Sequence, residues 1–431
     1  MRVIKDGAFA AAALESELSR AVQIDARDRA LATELVYGTL RTLPWLEDEV
    51  GRHAARGAGS MDPRTKVELC LAAYQLFFLE RVPAFAAVSE TVSAVRRVKG
   101  DKVASFANAV LRKVAAGAEL VRARAVDREV RLAEAVFASL APWLRGALGR
   151  ALGEDLRPFV MSGRATPPIA LRVEDPSQRA AWVARLVSAV NGASFEEGKV
   201  SPRAILVRGA GKPQSMPGYA EGAWSVQEEG SQLVALALGA RPGERVLDAC
   251  AGRGNKTSLI AGCGARVDAA DLHPAKLDVL TKELSRLGHA PNATFAVDWS
   301  LGSGDCTGLY DRVLVDAPCS GVGTLRRRPE LQTRRTAEDL AGLQALQRTI
   351  ATRAAEHVRP GGRLVYAVCS VLREEAEEVV LGVLSGCPTL EACPFDAPDA
   401  AALADGQSSF RLLPHVHGTD GYFLASLRKK C

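Results

Sequence analysis

From about residue 226 onward the chain repeats one pattern: a short apolar run that stops at a polar or small residue, followed by a helix-length stretch. The runs are "RVLDAC", "RVDAAD", "ATFAVD", "DRVLVDAP" and "GRLVYAVCS", and "PAKLDVLTKELSRLG" and "AEDLAGLQALQRTIATRAAEHVRPGG" are two of the stretches between them. Strands that alternate with helices pair in parallel, because a right-handed crossover returns each strand in the same direction. Such a sheet binds ligands at the carboxyl ends of its strands. The acids and thiols that close these runs are therefore the first place to look for chemistry.

The rest of the chain is organised differently, and 431 residues exceed one ordinary core. "DPRTKVELCLAAYQLFFLERVP" opens with the start signal Asp62-Pro63, carries an apolar stripe through Leu69, Ala72, Ala73, Leu76 and Leu79, and closes at Pro83. Val88, Val92 and Val95 repeat at helical spacing, and "SFANAVLRKVAAG" is expected to end its helix at Gly117. No strand pattern precedes about residue 165. The expected organisation is an all-helical bundle over 1–136, a small α/β connector over 137–225, and an α/β Rossmann-like domain over 226–431. The connector is read from "PPIALRVE" and "PRAILVRG" as strands, with "SQRAAWVARLVSAV" as a helix between them.

No stretch of 18 or more apolar residues occurs, so no membrane-spanning helix is expected. The alanine-rich start is broken by Glu15 and Glu17 and reads as a helix of the mature protein, so a cytoplasmic protein is expected. Nine scattered cysteines without a CxxC pair argue against a zinc site or a disulfide framework, leaving reduced thiols and no expected metal. A net charge of +5 favours a nucleic-acid partner only weakly, so the placement of the arginines matters more than their number. No heptad pattern calls for self-association, and a monomer is expected.

"VLDACAGRGNKT" is a strand, a glycine turn and a helix start. A phosphate-binding loop would need glycines at 250 and 255, where Cys250 and Asn255 stand; a dinucleotide fingerprint would need one at Thr257. S-adenosylmethionine has no phosphates to cradle and needs a close glycine turn with acids on the following strands. Asp271, 23 residues after Asp248, suits the ribose hydroxyls, and Asp298 is placed for the adenine edge. Each of these acids taken singly is explained as well by helix capping.

Asp316 ends the fourth run with Cys319 just beyond it, and Cys369 ends the fifth. Neighbouring parallel strands would bring both thiols and Asp316 together near a methyl donor. Amine methyltransferases commonly place an acid or Asn, two prolines and an aromatic ring here, whereas this chain has Pro-Cys-Ser. Carbon 5 of a pyrimidine becomes nucleophilic once a thiolate adds to carbon 6, and a base must later remove the carbon-5 proton. Two thiols suit that sequence of steps. Five arginines in "TLRRRPELQTRR" are then expected to grip RNA phosphates while the target base is extruded.

With these motifs the chain closely resembles the RNA cytosine-5 methyltransferases, specifically the bacterial small-subunit ribosomal RNA methyltransferase B (Sun) group. The matching stretches are "WSVQEEGSQLVALAL", "LDACAGRGNKT", "DAPCSGVGTLRRRPEL", "YAVCS" and "HGTDGYFLASLRK". The first third resembles the NusB-like RNA-binding domain of that group through "DRALATELVYGTLR", "AAYQLFFLERVPAFAAVSETV" and "SFANAVLRKV". The resemblance implies Cys369 as nucleophile, Cys319 as the residue that assists proton removal and release, and Asp316 against the pyrimidine near its ring nitrogen. It implies that Cys250, Ala251, Gly252, Arg253, Gly254, Asn255, Lys256, Asp271, Asp298 and Asp316 hold S-adenosyl-L-methionine, with Lys256 also reaching the catalytic pocket. The family's usual turn is "DACAAPGGKT"; here Gly252, Arg253 and Asn255 replace Ala, Pro and Gly, and Val368 replaces a threonine.

The function expected is methylation of cytosine carbon 5 in 16S ribosomal RNA. Two alternatives stay open on sequence alone: a transfer RNA cytosine-5 methyltransferase, and a non-catalytic NusB-like RNA-binding factor.

Overall fold

A computed structural model describes residues 1–21, 24–124, 126–163 and 166–431. The chain divides into two compact units, one of Met1–Gly146, Glu154–Ala165 and Leu325–Arg334, the other of Ala147–Gly153, Thr166–Thr324 and Arg335–Cys431.

The first unit is helical. Its central helix, Pro63–Phe78, starts where Asp62 accepts from the Thr65 amide and proline occupies the first turn. Proline suits that position because its missing N–H would have no partner there. The stripe Leu69, Ala72, Ala73 and Leu76 is buried, and so are Cys70, Tyr74, Phe77 and Phe78, so the helix is enclosed on most sides. Trp45 packs edge-on against Phe77 at a centroid distance of 4.9 Å, and Tyr74 lies 5.2 Å from Phe78. The next helix, Ala84–Lys99, buries Val92 and Val95 as its spacing requires.

The following helix departs from the sequence reading. It runs Asp101–Ala123, straight through Gly117. A mid-helix glycine costs only about 1 kcal/mol relative to alanine. The good helix formers on both sides, with Val114 and Ala118 buried, outweigh that cost.

The second unit contains two sheets. Strands β1 (Ile169–Val173), β2 (Ser194–Glu197), β3 (Ala204–Arg208) and β4 (Trp224–Val226) form an antiparallel sheet in the order β2-β3-β1-β4. It closes over Leu171, Val173, Leu186, Ile205 and the wholly buried Trp224.

The larger sheet holds β5 (Arg245–Asp248), β6 (Arg266–Asp271), β7 (Ala293–Ala296), β8 (Tyr310–Asp316), β9 (Val358–Val368), β10 (Leu390–Ala392), β11 (Ser409–Leu412) and β12 (Tyr422–Lys429). Its order is β10-β12-β9-β8-β5-β6-β7, with β11 paired to β12. The five runs read from the sequence are the five parallel strands β5 to β9, and β12 joins them antiparallel to β9. This is a Rossmann-like sheet in which the chain reverses its direction of winding beside β5, where ligands of such sheets bind. Among the described residues no helix is long and apolar enough to cross a membrane.

Gly38 tests the helical packing. A Cβ there would overlap the Tyr74 ring, which is fully buried and donates a 2.6 Å hydrogen bond to Glu34. Gly38→Ala is expected to destabilise the first unit by about 1–3 kcal/mol. Calorimetry of the two proteins checks this; an unchanged first transition would mean that the ring has room to move.

Candidate active site

Register places the site. In the β8–β9 ladder Asp316 lies opposite Ala367, so the loops carrying Cys319 and Cys369 leave neighbouring strand ends side by side. The two sulfurs are 3.2 Å apart, a thiol hydrogen bond. That bond to Cys369, together with burial and the nearby Glu375 charge, holds the Cys319 thiol well above its ordinary pKa. Either sulfur can donate in that bond, and the Cys319 thiol is the one whose proton the surroundings hold more tightly.

The two loops are tied to each other. The Gly323 amide donates to the Cys369 carbonyl at 3.1 Å, and the Gly421 amide donates to the Gly323 carbonyl at 2.8 Å. A side chain at Gly323 would collide with the Gly421 backbone, so the approach itself requires glycine. Gln347 donates to the Pro318 carbonyl at 2.9 Å.

Lys256 and Asp316 form an ion pair at 2.6 Å, with side chains 13% and 25% exposed. Burial alone would lower the lysine pKa, but Asp316, by charge and hydrogen bond, outweighs it with help from Asp248 and Cys369, and the net shift is upward. The lysine is a cation at neutral pH. Asp248 is fully buried; it accepts from Thr257 Oγ1 at 2.7 Å through Oδ2, while Oδ1 has no partner among the described residues. Burial, reinforced by Asp316, pushes its pKa up to about 6.

The glycine turn lies between β5 and the helix Asn255–Gly262. Gly252 and Gly254 both have positive φ, +56° and +87°, which a residue with a side chain rarely adopts. A Cβ at Gly254 would come within 2.6 Å of Leu280 Cγ, whereas one at Gly252 would meet open space. Arg253 and Asn255, the departures from the family's turn, are exposed. Asn255 needs no positive φ, because Gly254 before it takes the left-handed position. Val368 is buried in an apolar cluster, so its side chain replaces a hydroxyl with packing.

Asp271 ends β6 and accepts from the Gly252 amide at 3.0 Å, the His273 amide at 2.9 Å and Lys276 Nζ at 3.1 Å. A carboxylate has about four acceptor sites, so it retains capacity for a ligand hydroxyl. Cys250 is held neutral: burial first, then the charges of Asp248, Asp316 and Asp271, push its thiol well above the ordinary pKa. Ala251 packs inward with Ala269, Leu277 and Leu280 and offers the ligand side only its backbone. Asp298 is used differently. Its Oδ1 accepts from the Ser300 amide at 2.8 Å and from the Ser300 hydroxyl, bonds that lower its pKa.

These residues fit S-adenosylmethionine. An open-faced glycine turn, an acid at the end of the next strand and a buried carboxylate oxygen without a partner are what a nucleoside with an amino-acid tail requires. Among the described residues there is no group of three or more His, Cys, Asp or Glu suited to a metal.

The arginine run also makes contacts within the protein. Residues Leu325–Arg334 belong to the helical unit. Arg326 is buried and its carbonyl accepts from Arg41 at 3.0 Å; Gln332 donates to the Leu40 and Arg41 carbonyls at 2.9 and 3.0 Å. Arg334 donates to the Val3 and Ala8 carbonyls, and Arg328 and Arg334 both lie over the Phe9 ring. Arg335, back in the second unit, donates to the Ser320 carbonyl at 3.3 Å. Arg334 and Arg335 thus donate to backbone carbonyls, and these two side chains tie the segment to its own surroundings.

Sequence reading also missed Arg172, Gln347 and Glu375. Arg172 sits in β1 with no exposed surface, donating to the Asn255 carbonyl at 2.8 Å and Ser258 Oγ at 2.9 Å, and so braces the helix that carries Lys256. An arginine in "IALRVE" carries no signal of burial.

The Asp248 shift predicts a pH dependence. The folded state keeps its proton up to pH about 6, so this group's contribution falls as pH rises from the ordinary carboxylate range through 6. Relative to Asp248→Asn, the native protein should lose on the order of 3 kcal/mol of stability between pH 4 and 7.5. Denaturant unfolding at both pH values checks this; a constant difference would mean an unperturbed carboxyl.

Comparison with known proteins gives a consistent picture. Residues 235–428 match the family model described as 16S rRNA methyltransferase RsmB/F, and residues 2–116 match that of the NusB family. A putative methyltransferase of Mycobacterium tuberculosis is 38% identical over 94% of this chain and 90% of its own length. The ribosomal RNA small subunit methyltransferase B of Pseudomonas putida is 34% identical over 94% of this chain and 92% of its own. The crystal structure of PH0851 superimposes with a TM-score of 0.79 at 22% identity, covering 96% of this chain and 93% of that one, which shows a shared fold.

Proposed function

The chain belongs to the 16S rRNA methyltransferase RsmB/F family, whose members are S-adenosylmethionine-dependent enzymes, and from that premise we propose that it methylates cytosine carbon 5 in 16S ribosomal RNA through a covalent Cys369 adduct. The observation that carries this reading is the pair of thiols 3.2 Å apart, one of them held protonated. Methylation of an amine needs no thiol. Methylation of a pyrimidine carbon needs one to add and a second group to take a proton.

In this reading the Cys369 thiolate adds to carbon 6, and the electron pair of the C5–C6 bond becomes available at carbon 5. Asp316 meets the pyrimidine edge near its ring nitrogen, and the paired Lys256 cation offsets charge that builds on the ring. S-adenosylmethionine, when bound, supplies an electrophilic methyl group. Cys319, once it has given its own proton to solvent, then removes the carbon-5 proton; the C5=C6 bond re-forms and Cys369 leaves as thiolate. The turn from Cys250 to Lys256, with Asp271 and Asp298, holds the cofactor, chiefly through backbone at Ala251 and Gly252 and the carboxylate of Asp271. Asp298 contributes its second oxygen. The enzyme acts in the cytoplasm as a monomer on RNA, without a metal.

Transfer of tritiated methyl from S-adenosylmethionine to unmethylated 16S RNA tests the reading. Label should appear in 5-methylcytidine and disappear in Cys369→Ala. Full activity in that variant would remove Cys369 from the chemistry. Cys319→Ala should instead accumulate an enzyme–RNA species that survives denaturing electrophoresis, because addition proceeds and release does not.

A further inference from the structure

Six residues beyond Cys369 lies Glu375, a carboxylate with no exposed surface. It stands in a short 3-10 turn, Arg373–Glu375, on the loop that leaves β9. Its side-chain partners are Ser320, on the other cysteine's loop, and Gln347, on the helix Ala337–Glu356. Oε1 accepts from the Ser320 amide at 2.7 Å and from Gln347 Nε2 at 3.0 Å, and Oε2 accepts from the Ser320 hydroxyl. Ser320 follows Cys319 directly, and its hydroxyl lies 3.4 Å from that of Ser370, which follows Cys369. On the main chain, the Glu375 carbonyl accepts from Tyr366 OH at 2.7 Å, which anchors the turn to β9.

We propose that Glu375 is a positioning residue: it holds the Cys319 loop against the Cys369 loop so that Cys319 reaches the carbon-5 proton when the adduct must break. The inference rests on the covalent reading above. A buried carboxylate with both oxygens bonded across two loops restrains each strongly, because any shift of one loop leaves an unpaired charge in an apolar place. Ser320 takes two of the three bonds, so Cys319 cannot move without breaking them. The same negative charge, after the Cys369 bond and burial, contributes to keeping Cys319 protonated in the resting site. Tyr366, Asp316 and Cys250 share this neighbourhood, and Cys369 and Glu375 are the charged or titratable groups that act on Cys319 itself.

The step at stake is release. Cys319, its own proton first released to solvent, takes the carbon-5 proton, the C–H electron pair forms the C5=C6 bond, and the C6–S bond breaks to give back the Cys369 thiolate. A displaced Cys319 slows this step and leaves addition and methyl transfer intact. Loss of Glu375 should therefore mimic, in part, loss of Cys319.

The test is full-length enzyme with unmethylated 16S RNA and S-adenosylmethionine, followed by denaturing electrophoresis and steady-state turnover. Wild type, Cys319→Ala, Glu375→Ala, Glu375→Gln and Ser320→Ala are run together. Glu375→Ala should lower turnover at least tenfold while methylated, covalently attached RNA accumulates. Ser320→Ala, which removes one bond without emptying a buried site, should show a smaller accumulation. Glu375→Gln keeps an acceptor for the Ser320 amide and should recover most of the turnover. Adduct with Cys319→Ala but with neither Glu375→Ala nor Ser320→Ala would overturn the positioning role and leave the covalent reading standing. No adduct with Cys319→Ala would count against the covalent reading itself.

Discussion

Between β8 and β9 runs a parallel ladder in which Asp316 faces Ala367, and the chemistry of the molecule depends on that pairing. Parallel strands deliver their carboxyl ends to one edge of the sheet. Two loops that are about 50 residues apart in sequence thereby meet with sulfurs 3.2 Å apart. A slip of one residue would turn every side chain to the opposite face, so burial on both sides of the sheet fixes the register as firmly as the hydrogen bonds do. Leu314, Val315, Val365 and Tyr366, all buried, enforce it.

Charge is managed with similar economy. Lys256 and Asp316 neutralise one another at 2.6 Å in a partly buried place, while Asp248 is buried with Thr257 as its side-chain partner. Arg172 reaches across from the antiparallel sheet to brace the helix bearing Lys256. The small sheet is therefore part of the support of the site as well as a link in the chain. The segment after Thr324 has a comparable role in the helical unit, where Glu330 accepts from the Ala10 amide at 3.1 Å and Arg334 holds the Val3 carbonyl.

Much of this was legible in the sequence, for identifiable reasons. The five parallel strands were visible because each is a compact apolar run with a polar stop, and the helix Pro63–Phe78 because Asp62 and Pro63 announce its start. The two thiols and Asp316 were visible because they sit at strand ends. What escaped were residues whose meaning is set by distant partners. Glu375 stands in the acidic run "REEAEE", which reads as a solvated surface, yet it is buried beneath Ser320. The arginines after Thr324 read as a grip for phosphate, yet Arg334 holds the backbone carbonyls of Val3 and Ala8, and the Arg326 carbonyl is itself held by Arg41. Gly117 read as a stop because glycine often ends helices, and local helix formers overrode it.

The central claim is that Cys369 joins to carbon 6 of a cytosine while Cys319 waits to take the proton from carbon 5. RNA carrying 5-fluorocytidine examines it most directly, because fluorine at carbon 5 cannot leave as a proton does. With S-adenosylmethionine present, the native enzyme should become permanently bound to this RNA, and mass spectrometry of the digested complex should find the nucleotide on Cys369. Attachment at Cys319, or no stable complex while ordinary RNA is still methylated, would contradict the account.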